Sequence, residues 1–250
     1  MSRRLPRHPA LLAATLLVLG VLLAVAAPRG RAQDTGATLP TGCAHVAGTQ
    51  VRHGPTTGRR VALTFDDGPA AITPQFLTLL EHEHVPATFF IVGRRVAGRE
   101  ATLRRALADG DMLGNHSFDH VSLQKADADA VAQIEDTQRA IRDATGFTPC
   151  LLRPPYGLSS RSLIRLADSE GLTPTLWSVN PQDFTRPGTA KIRSRVLAGV
   201  RPGAIILSHD GGGPRQQTLA AYRTIIRTLK ARGYHFVTVT DLLGLSVTRR

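Results

Sequence analysis

Short apolar runs recur along the chain from residue 60 onward, and segments with a helical period separate most of them. Seven runs have the composition of buried strands, at residues 61–65, 87–92, 111–114, 149–152, 172–178, 203–207 and 235–239. A continuous apolar run bounded by turn residues is typical of a strand covered on both faces, as in a parallel sheet. The pattern therefore predicts parallel strands joined by helices.

Three connecting segments carry a clear helical period. One helix is predicted to begin at Thr73, as its cap, with Pro74 at the first helical position. A second spans about 127–144 and a third about 214–232. Their predicted buried positions are Phe76, Leu79 and Leu80, then Val131, Ile134 and Ile141, then Leu219, Tyr222, Ile225, Ile226 and Leu229. This alternation, with no second compositional regime, predicts one α/β barrel-like domain over residues 59–250.

The first residues have the features of an export signal. Arg3, Arg4 and Arg7 precede an uninterrupted apolar run from Ala10 to Ala27, which ends in a small-residue cleavage pattern. We expect residues 1–27 to be a cleaved signal peptide or, as the alternative, a single-span membrane anchor. Residues 28–58 are rich in Gly, Thr, Pro and Arg and are predicted to be a linker and N-terminal arm. Either alternative predicts a secreted or extracytoplasmic domain.

The amino-acid composition gives the chain a strong positive charge. The 250 residues are 42% hydrophobic, enough for one sizeable core, and the formal net charge is +12. A basic surface attracts polyanions, and in an exported protein the anionic cell envelope is the natural partner. Nucleic acid is not expected, since no arginine-rich cluster lies on a nucleic-acid motif and aromatic residues make up only 5%.

The two cysteines could connect the predicted arm to the rest of the domain. Cys43 lies in the predicted arm and Cys150 at the end of the fourth predicted strand. In an oxidising compartment such a pair favours a disulfide bond, which would hold the arm against the domain. The alternative is two unpaired thiols.

Polar side chains with catalytic chemistry follow five of the predicted strands. They are Asp66 and Asp67, His116 and His120, Arg153, Asp183, and His209. Parallel-stranded barrels place their active sites at the carboxyl ends of the strands. We therefore expect these side chains to meet at one end of the domain.

The first two motifs indicate a metal site. Asp66 and Asp67 are adjacent carboxylates that repel each other unless a cation lies nearby, although Asp-Asp-Gly-Pro is also ordinary turn chemistry. His116 and His120 are four residues apart, a spacing that lets both imidazoles reach one ion. Two histidines and one aspartate leave coordination positions open, as in catalytic rather than structural sites.

The other motifs supply an orienting cation and an acid. Arg153 precedes two stiffening prolines, and its guanidinium is suited to holding a carboxylate bidentately, although a surface arginine is the simpler interpretation. Asp183 is a partner for either Arg153 or His209. A histidine restrained by a carboxylate can protonate a leaving group.

Five segments together carry a family resemblance. They read Ala-Leu-Thr-Phe-Asp-Asp-Gly-Pro, Pro-Ala-Thr-Phe-Phe-Ile-Val-Gly, Gly-Asn-His-Ser-Phe-Asp-His, Arg-Pro-Pro-Tyr-Gly and Ile-Leu-Ser-His-Asp-Gly-Gly-Gly. In this order they resemble polysaccharide deacetylases, the NodB-homology domain of carbohydrate esterase family four. The resemblance runs from about Val61 to Leu243 and covers nearly the whole folded region.

The resemblance implies a distorted seven-stranded (β/α) barrel and a divalent metal, usually zinc, with cobalt or another divalent ion as alternatives. It implies metal ligation by Asp67, His116 and His120, a base at Asp66 oriented by Arg153, and an acid at His209 with Asp183 as the fourth-motif residue. It also implies an oxyanion-binding backbone N–H at Tyr156 and an acetyl pocket lined by Leu207 and Trp177. One departure is Phe184, where the family's fourth motif often has tryptophan, and it bears on substrate preference more than on the chemistry.

The function expected from this resemblance is removal of N-acetyl groups from a β-1,4-linked N-acetylglucosamine polymer of the peptidoglycan or chitin type, by a protein assumed to be a monomer. Three alternatives remain at this point. They are an O-acetyl esterase acting on a xylan-like polysaccharide, a catalytically silent glycan-binding protein, and a metal hydrolase of small amides or cyclic imides.

Overall fold

The structure is a computed structural model that describes Met1 and residues 38–250. Its strands are β1 (Pro40–Cys43), β2 (Arg60–Gly68), β3 (Thr88–Ile91), β4 (Met112–Asn115), β5 (Leu151–Leu152), β6 (Thr173–Pro174), β7 (Ile205–His209), β8 (His235–Phe236) and β9 (Val247–Arg249). Its helices are α1 (Thr73–Glu83), α2 (Glu100–Ala108), α3 (Ala128–Thr145), α4 (Arg161–Ser169), α5 (Thr189–Gly199), α6 (Gln216–Ala231) and α7 (Val239–Leu243). The predicted signal peptide or anchor, residues 1–27, lies outside the described residues apart from Met1.

Seven parallel strands form the central sheet. Their order is β6-β5-β4-β3-β2-β7, and β8 also pairs with β2. The two ends of this series meet, because Val179, downstream of β6, bridges Ile206 of β7 in parallel. Helices follow most of the strands, as parallel connections require. The predicted α/β fold with a distorted seven-stranded barrel is confirmed.

The core lies between β2 and the helices packed on it. Phe65 of β2 is buried, and its ring centroid lies 5.0 Å from that of Phe76 on α1 and 5.2 Å from that of Tyr222 on α6. The five apolar positions predicted on the third helix are all buried in α6. Val131 is only half-buried, so α3 packs mainly through Ile134 and Ile141.

The ends of several predicted elements were wrong, and for three of them the hydrogen bonds give the reason. Thr73 begins α1 but does not cap it: the cap position is Ile72, and the Thr73 hydroxyl accepts a hydrogen bond from the backbone N–H of Ala70 and donates one to Asp210. The strand predicted at 172–178 ends at Pro174, because only the next N–H, of Thr175, still bonds to β5, and those of Leu176 and Ser178 bond to the arm and to β7. The strand predicted at 235–239 stops at Phe236, because Thr238 caps α7 by accepting a hydrogen bond from the backbone N–H of Asp241.

The arm contains a strand that the sequence pattern did not indicate. β1 pairs antiparallel with β9 near the C-terminus, and Cys43 at its end forms a disulfide bond with Cys150, just before β5. The described part of the arm is therefore joined covalently to the strand that precedes Arg153. Among the residues that the structure describes, no helix is both long and apolar enough to span a membrane.

Candidate active site

The paired carboxylates lie at the carboxyl end of β2, where the strand bulges. Asp66 pairs with Phe90 of β3, but the next paired residue is Gly68, so Asp67 is an extra residue in the ladder. Asp67 has a φ of 71°, in the left-handed region. Adjacent residues of a regular strand point to opposite faces. The bulge removes that constraint, and both carboxylates line one cleft.

Arg153 holds Asp66 from beneath the cleft. Both residues are buried, with 0% and 2% exposure, and Arg153 Nη1 lies 2.7 Å from Asp66 Oδ1. The same Nη1 also donates to Thr64 Oγ1 at 2.7 Å, while Nε and Nη2 donate to the carbonyls of Thr175 and Leu176 at 3.0 and 3.1 Å. The prediction of a bidentate contact is wrong, because only Nη1 reaches Asp66, while Nε and Nη2 donate to backbone carbonyls. A buried ion pair with this many fixed bonds sets the orientation of the carboxylate.

Asp67, His116 and His120 converge on one point. One ligand atom from each lies within 4.8 Å of the others, and Asp67 Oδ1 is 3.6 Å from His116 Nε2 and 3.2 Å from His120 Nε2. The other ring nitrogen of His116 donates to the carbonyl of Arg153 at 2.6 Å, which directs Nε2 toward Asp67. Asp67 Oδ1 is buried and has no hydrogen-bond partner. A divalent cation would satisfy that oxygen, so this donor set fits a metal ion.

The protonation states suit the same ion. Burial raises the pKa of Asp67, but the imidazole of His116, together with those of His209 and His120, outweighs it and lowers the pKa below its usual range. Burial, together with the neighbouring His116, lowers the pKa of His120 despite the two nearby aspartates. A carboxylate binds a metal in its ionised form and an imidazole in its neutral form. The lowered pKa of Asp67 and the lowered pKa of His120 favour these two forms.

Asp183 partners His209 rather than Arg153. Its Oδ1 lies 2.7 Å from His209 Nδ1, and its Oδ2 accepts hydrogen bonds from the backbone N–H of His209 and from Thr218 Oγ1, both at 2.9 Å. Burial alone lowers the pKa of His209, but the hydrogen bond and charge of Asp183 raise it above the ordinary histidine value. Asp183 therefore holds Nδ1 and leaves Nε2 as the ring nitrogen available to the cleft that His209 lines.

The cleft above these groups has a volume of about 520 Å³, and Tyr156, Trp177 and Leu207 form part of its lining. Tyr156 is 66% exposed, packs its ring on His120 and has a φ of 62°. Among the hydrogen bonds of the described residues, none uses the backbone N–H of Tyr156. Asp67, His120 and Tyr156 all have left-handed backbones, and strain of this kind is maintained where the surroundings hold a functional geometry.

Several residues that support the site were not identified from the sequence. Arg95 donates to the carbonyl of Asp67 at 2.6 Å, and Thr64 links Arg153 to the carbonyl of Ile206. Thr218 on α6 holds Asp183. Of these three, only Thr64 could have been identified from the sequence, since it lies within the Thr-Phe-Asp-Asp motif. Arg95 and Thr218 come from segments whose local pattern shows only a turn and a helix.

Gly211 allows the backbone after β7 to pass against Asp67. A Cβ on Gly211 would lie 1.9 Å from the carbonyl oxygen of Asp67, closer than any real contact. We expect Gly211→Ala to displace Asp67 and weaken zinc binding at least tenfold in a calorimetric titration, with a stability loss of about 1–3 kcal/mol in denaturant unfolding. Gly42→Ala is the control, because its added Cβ would meet only the carbonyl oxygen of Thr148, at 3.8 Å, which is ordinary van der Waals contact. Equal zinc affinities for wild type and Gly211→Ala would contradict this account.

Comparison with known proteins places these features in context. A family profile described as polysaccharide deacetylase matches residues 53–175. A peptidoglycan-N-acetylglucosamine deacetylase of Listeria monocytogenes is 40% identical over 190 residues, which are 75% of this chain and 40% of that protein. The chain thus spans less than half the length of that relative. A chitooligosaccharide deacetylase of Bradyrhizobium sp. is 39% identical over 197 residues, covering 73% of this chain and 90% of that protein.

A solved structure has the same fold. The crystal structure of a peptidoglycan N-acetylglucosamine deacetylase in complex with 4-naphthalen-1-yl-N-oxidanyl-benzamide superposes with a TM-score of 0.75 and 33% sequence identity. The match covers 79% of this chain and 94% of that one.

Proposed function

Because this chain belongs to the polysaccharide deacetylase family, we propose that it is a metal-dependent hydrolase that removes N-acetyl groups from a β-1,4-linked N-acetylglucosamine polymer. One observation carries the proposal. Three groups of side chains line or support one cleft. They are the buried Asp66–Arg153 pair, the Asp67–His116–His120 cluster and the His209–Asp183 pair. The site thus combines a base, a metal position and an acid, the three parts that amide hydrolysis by water requires.

Asp67, His116 and His120 would hold the ion, and zinc is the ion we propose. When bound, such an ion supplies positive charge that acidifies water and polarises an acetyl carbonyl. Asp66 lies 3.8 Å from His116 Nε2, next to this position but outside the ligand set. Its carboxylate accepts the proton of the attacking water, and Arg153 keeps its orientation fixed while the proton moves.

Tyr156 and His209 complete the reaction from two other sides of the cleft. The unused backbone N–H of Tyr156 donates to the oxyanion that develops on the acetyl oxygen. His209, protonated because of Asp183, gives its proton to the departing sugar nitrogen, and acetate is released. Leu207 and Trp177 give the acetyl methyl group an apolar wall.

We also propose that the protein acts outside the cytoplasm, on the cell wall or another extracellular glycan. The export signal in the sequence, the Cys43–Cys150 disulfide and the peptidoglycan deacetylases among its relatives support this location. The anionic cell envelope is the proposed partner for its basic surface.

The test of this function is acetate release by the zinc-loaded protein from chitopentaose, peptidoglycan and acetylated xylan, assayed in parallel. Acetate from the first two, with an equal amount of new amine, is the expected result. Acetate from xylan alone would replace the proposal with an O-acetyl esterase. Retention on glycan with no acetate from any substrate would replace it with a glycan-binding protein.

The acid assignment predicts a shift of the pH profile. Replacing Asp183 with Asn removes the charge that raises the pKa of His209, while an amide oxygen can still accept from Nδ1–H. The acid must be protonated to act, so a lower pKa shortens the active range on its alkaline side. We expect the alkaline limb of kcat/KM to move to lower pH in Asp183→Asn. An alkaline limb that stays in place would remove His209 as the acid.

A further inference from the structure

A second buried arginine lies in the cleft and has no role in the chemistry described above. Arg215 follows the Gly-Gly-Gly-Pro segment after β7, occupies the cap position of α6 and is 4% exposed. It lines the same cleft as Asp66 and His209.

Arg215 has no acidic partner among the residues that the structure describes. Its Nε donates to the carbonyl of Gly211 at 2.6 Å, and none of the ion pairs within 4.0 Å in the described range includes it. Arg153, the other arginine buried at this site, has a carboxylate oxygen 2.7 Å away. Asp67 is nearby but not within 4.0 Å, and among the hydrogen bonds of the described residues the Arg215 side chain takes part only through Nε. The two terminal nitrogens of a guanidinium that lines the cleft are therefore left to donate to a group that enters it.

The guanidinium lies beside Asp67, on the side away from the histidines. Asp67 Oδ1 faces the two imidazoles, whereas Oδ2 lies near Gly212. A Cβ on Gly212 would be 2.2 Å from Asp67 Oδ2 and 3.3 Å from Arg215 Nη2. Gly212 is exposed, and its missing side chain leaves this approach to the guanidinium open. An anionic group can therefore approach the guanidinium past Gly212.

We propose that Arg215 is an anion-binding subsite that selects a glycan carrying carboxylate groups. This inference rests on the proposed function and names the substrate class within it. The planar guanidinium fits a carboxylate bidentately. A chitin-type chain has no carboxylate, whereas a peptidoglycan strand carries one on each lactyl ether or on the stem peptide attached there. Arg215 thus favours peptidoglycan-type strands over chitin-type chains.

Another role for Arg215 gives a different experimental result. If the guanidinium only offset the charges of Asp66 and Asp67, its removal would impair the enzyme equally on neutral and anionic chains. The informative quantity is therefore the ratio of kcat/KM for peptidoglycan strands to kcat/KM for chitopentaose, and not either value alone.

The experiment measures this ratio by acetate release for the full-length zinc-loaded protein. The anionic substrates are peptidoglycan strands freed of stem peptides, with open lactyl carboxylates, and strands that retain their peptides. The variants are Arg215→Gln, Arg215→Lys and Arg223→Gln. Arg223 is exposed on the same helix outside the cleft, so its replacement removes the same charge without altering the subsite.

We expect the ratio to fall about tenfold or more in Arg215→Gln, as for loss of a hydrogen bond to a charged group, and to fall less in Arg215→Lys. Arg223→Gln should keep the wild-type ratio. If the ratio falls on peptide-free strands, the contact is with the lactyl carboxylate. If the ratio falls only on peptide-bearing strands, the contact is with the peptide. Equal losses on chitopentaose and both kinds of strand would overturn the inference.

A change in the substrate tests the same contact without any variant. Methyl esterification of the lactyl carboxylates, or of the peptide carboxylates where those carry the effect, should lower the wild-type ratio as far as Arg215→Gln does. An unchanged ratio after esterification of both would also overturn the inference, even if the variant does not fold. Failure of the proposed function looks different, because wild type would then release no acetate from chitopentaose or from any strand.

Discussion

Replacing Asp66 with Asn is expected to reduce kcat for acetate release by about 10²- to 10⁴-fold, the contribution of a general base. The amide keeps the shape of the side chain and can still accept from Arg153 Nη1, but it cannot take a proton from water. Asp66 is not in the ligand set, so the variant should still bind one zinc ion per chain.

The matched control is Asp129→Asn, at an exposed position in the first turn of α3. It removes one carboxylate without touching the cleft and should retain wild-type kcat. Zinc content measured by elemental analysis separates loss of the base from loss of the metal. An Asp66→Asn variant with more than a third of wild-type kcat would contradict the assigned role.

Replacing Arg153 with Met is expected to give the largest loss of stability of any variant at the site. The substitution leaves Asp66 buried without its cation and removes a donor from Thr64 and from two carbonyls. Breaking a buried ion pair from one side costs about 3–5 kcal/mol. For a domain of this size that corresponds to a fall in Tm of roughly 10 °C, measured by calorimetry.

A double-variant cycle shows whether the cost comes from the stranded carboxylate. Combining Arg153→Met with Asp66→Asn removes both charges, so the double variant should lose less free energy of unfolding than the two single losses added together. Arg223→Met, on the exposed face of α6, serves as the control and should leave Tm unchanged. Simple additivity in the cycle, or a Tm within about 2 °C of wild type for Arg153→Met, would contradict a buried ion pair.

Much of the fold could be predicted because its signals are local. Each strand near the site is a short apolar run, and the helical period of α6 identified five of its buried positions, although it missed Thr218 and Ala221. The chemistry-bearing residues follow these runs, so the rule that parallel strands present their carboxyl ends together was enough to place them at one end. The family resemblance drawn from the five motifs is likewise confirmed by the relatives and the solved structure.

The features that sequence could not give depend on distant partners. The choice of Asp183 between Arg153 and His209 is fixed by Thr218 and the backbone N–H of His209, which no local pattern connects. The left-handed bulge at Asp67 depends on Arg95 and on the close passage of Gly211. Val179 reaches β7 because the chain leaves β5 after Thr175, whose N–H still bonds to Leu152. Short-range periodicity carries no information about such pairings.

Metal-dependent hydrolysis is the central proposal, and one measurement tests it most directly. The full-length protein is treated with a chelator, dialysed and assayed for acetate and new amine from chitopentaose and peptidoglycan, before and after one equivalent of zinc is restored. The account predicts loss of both products on chelation and their return in equal amounts with zinc. Activity that persists in the chelator-treated protein with no zinc remaining would contradict it.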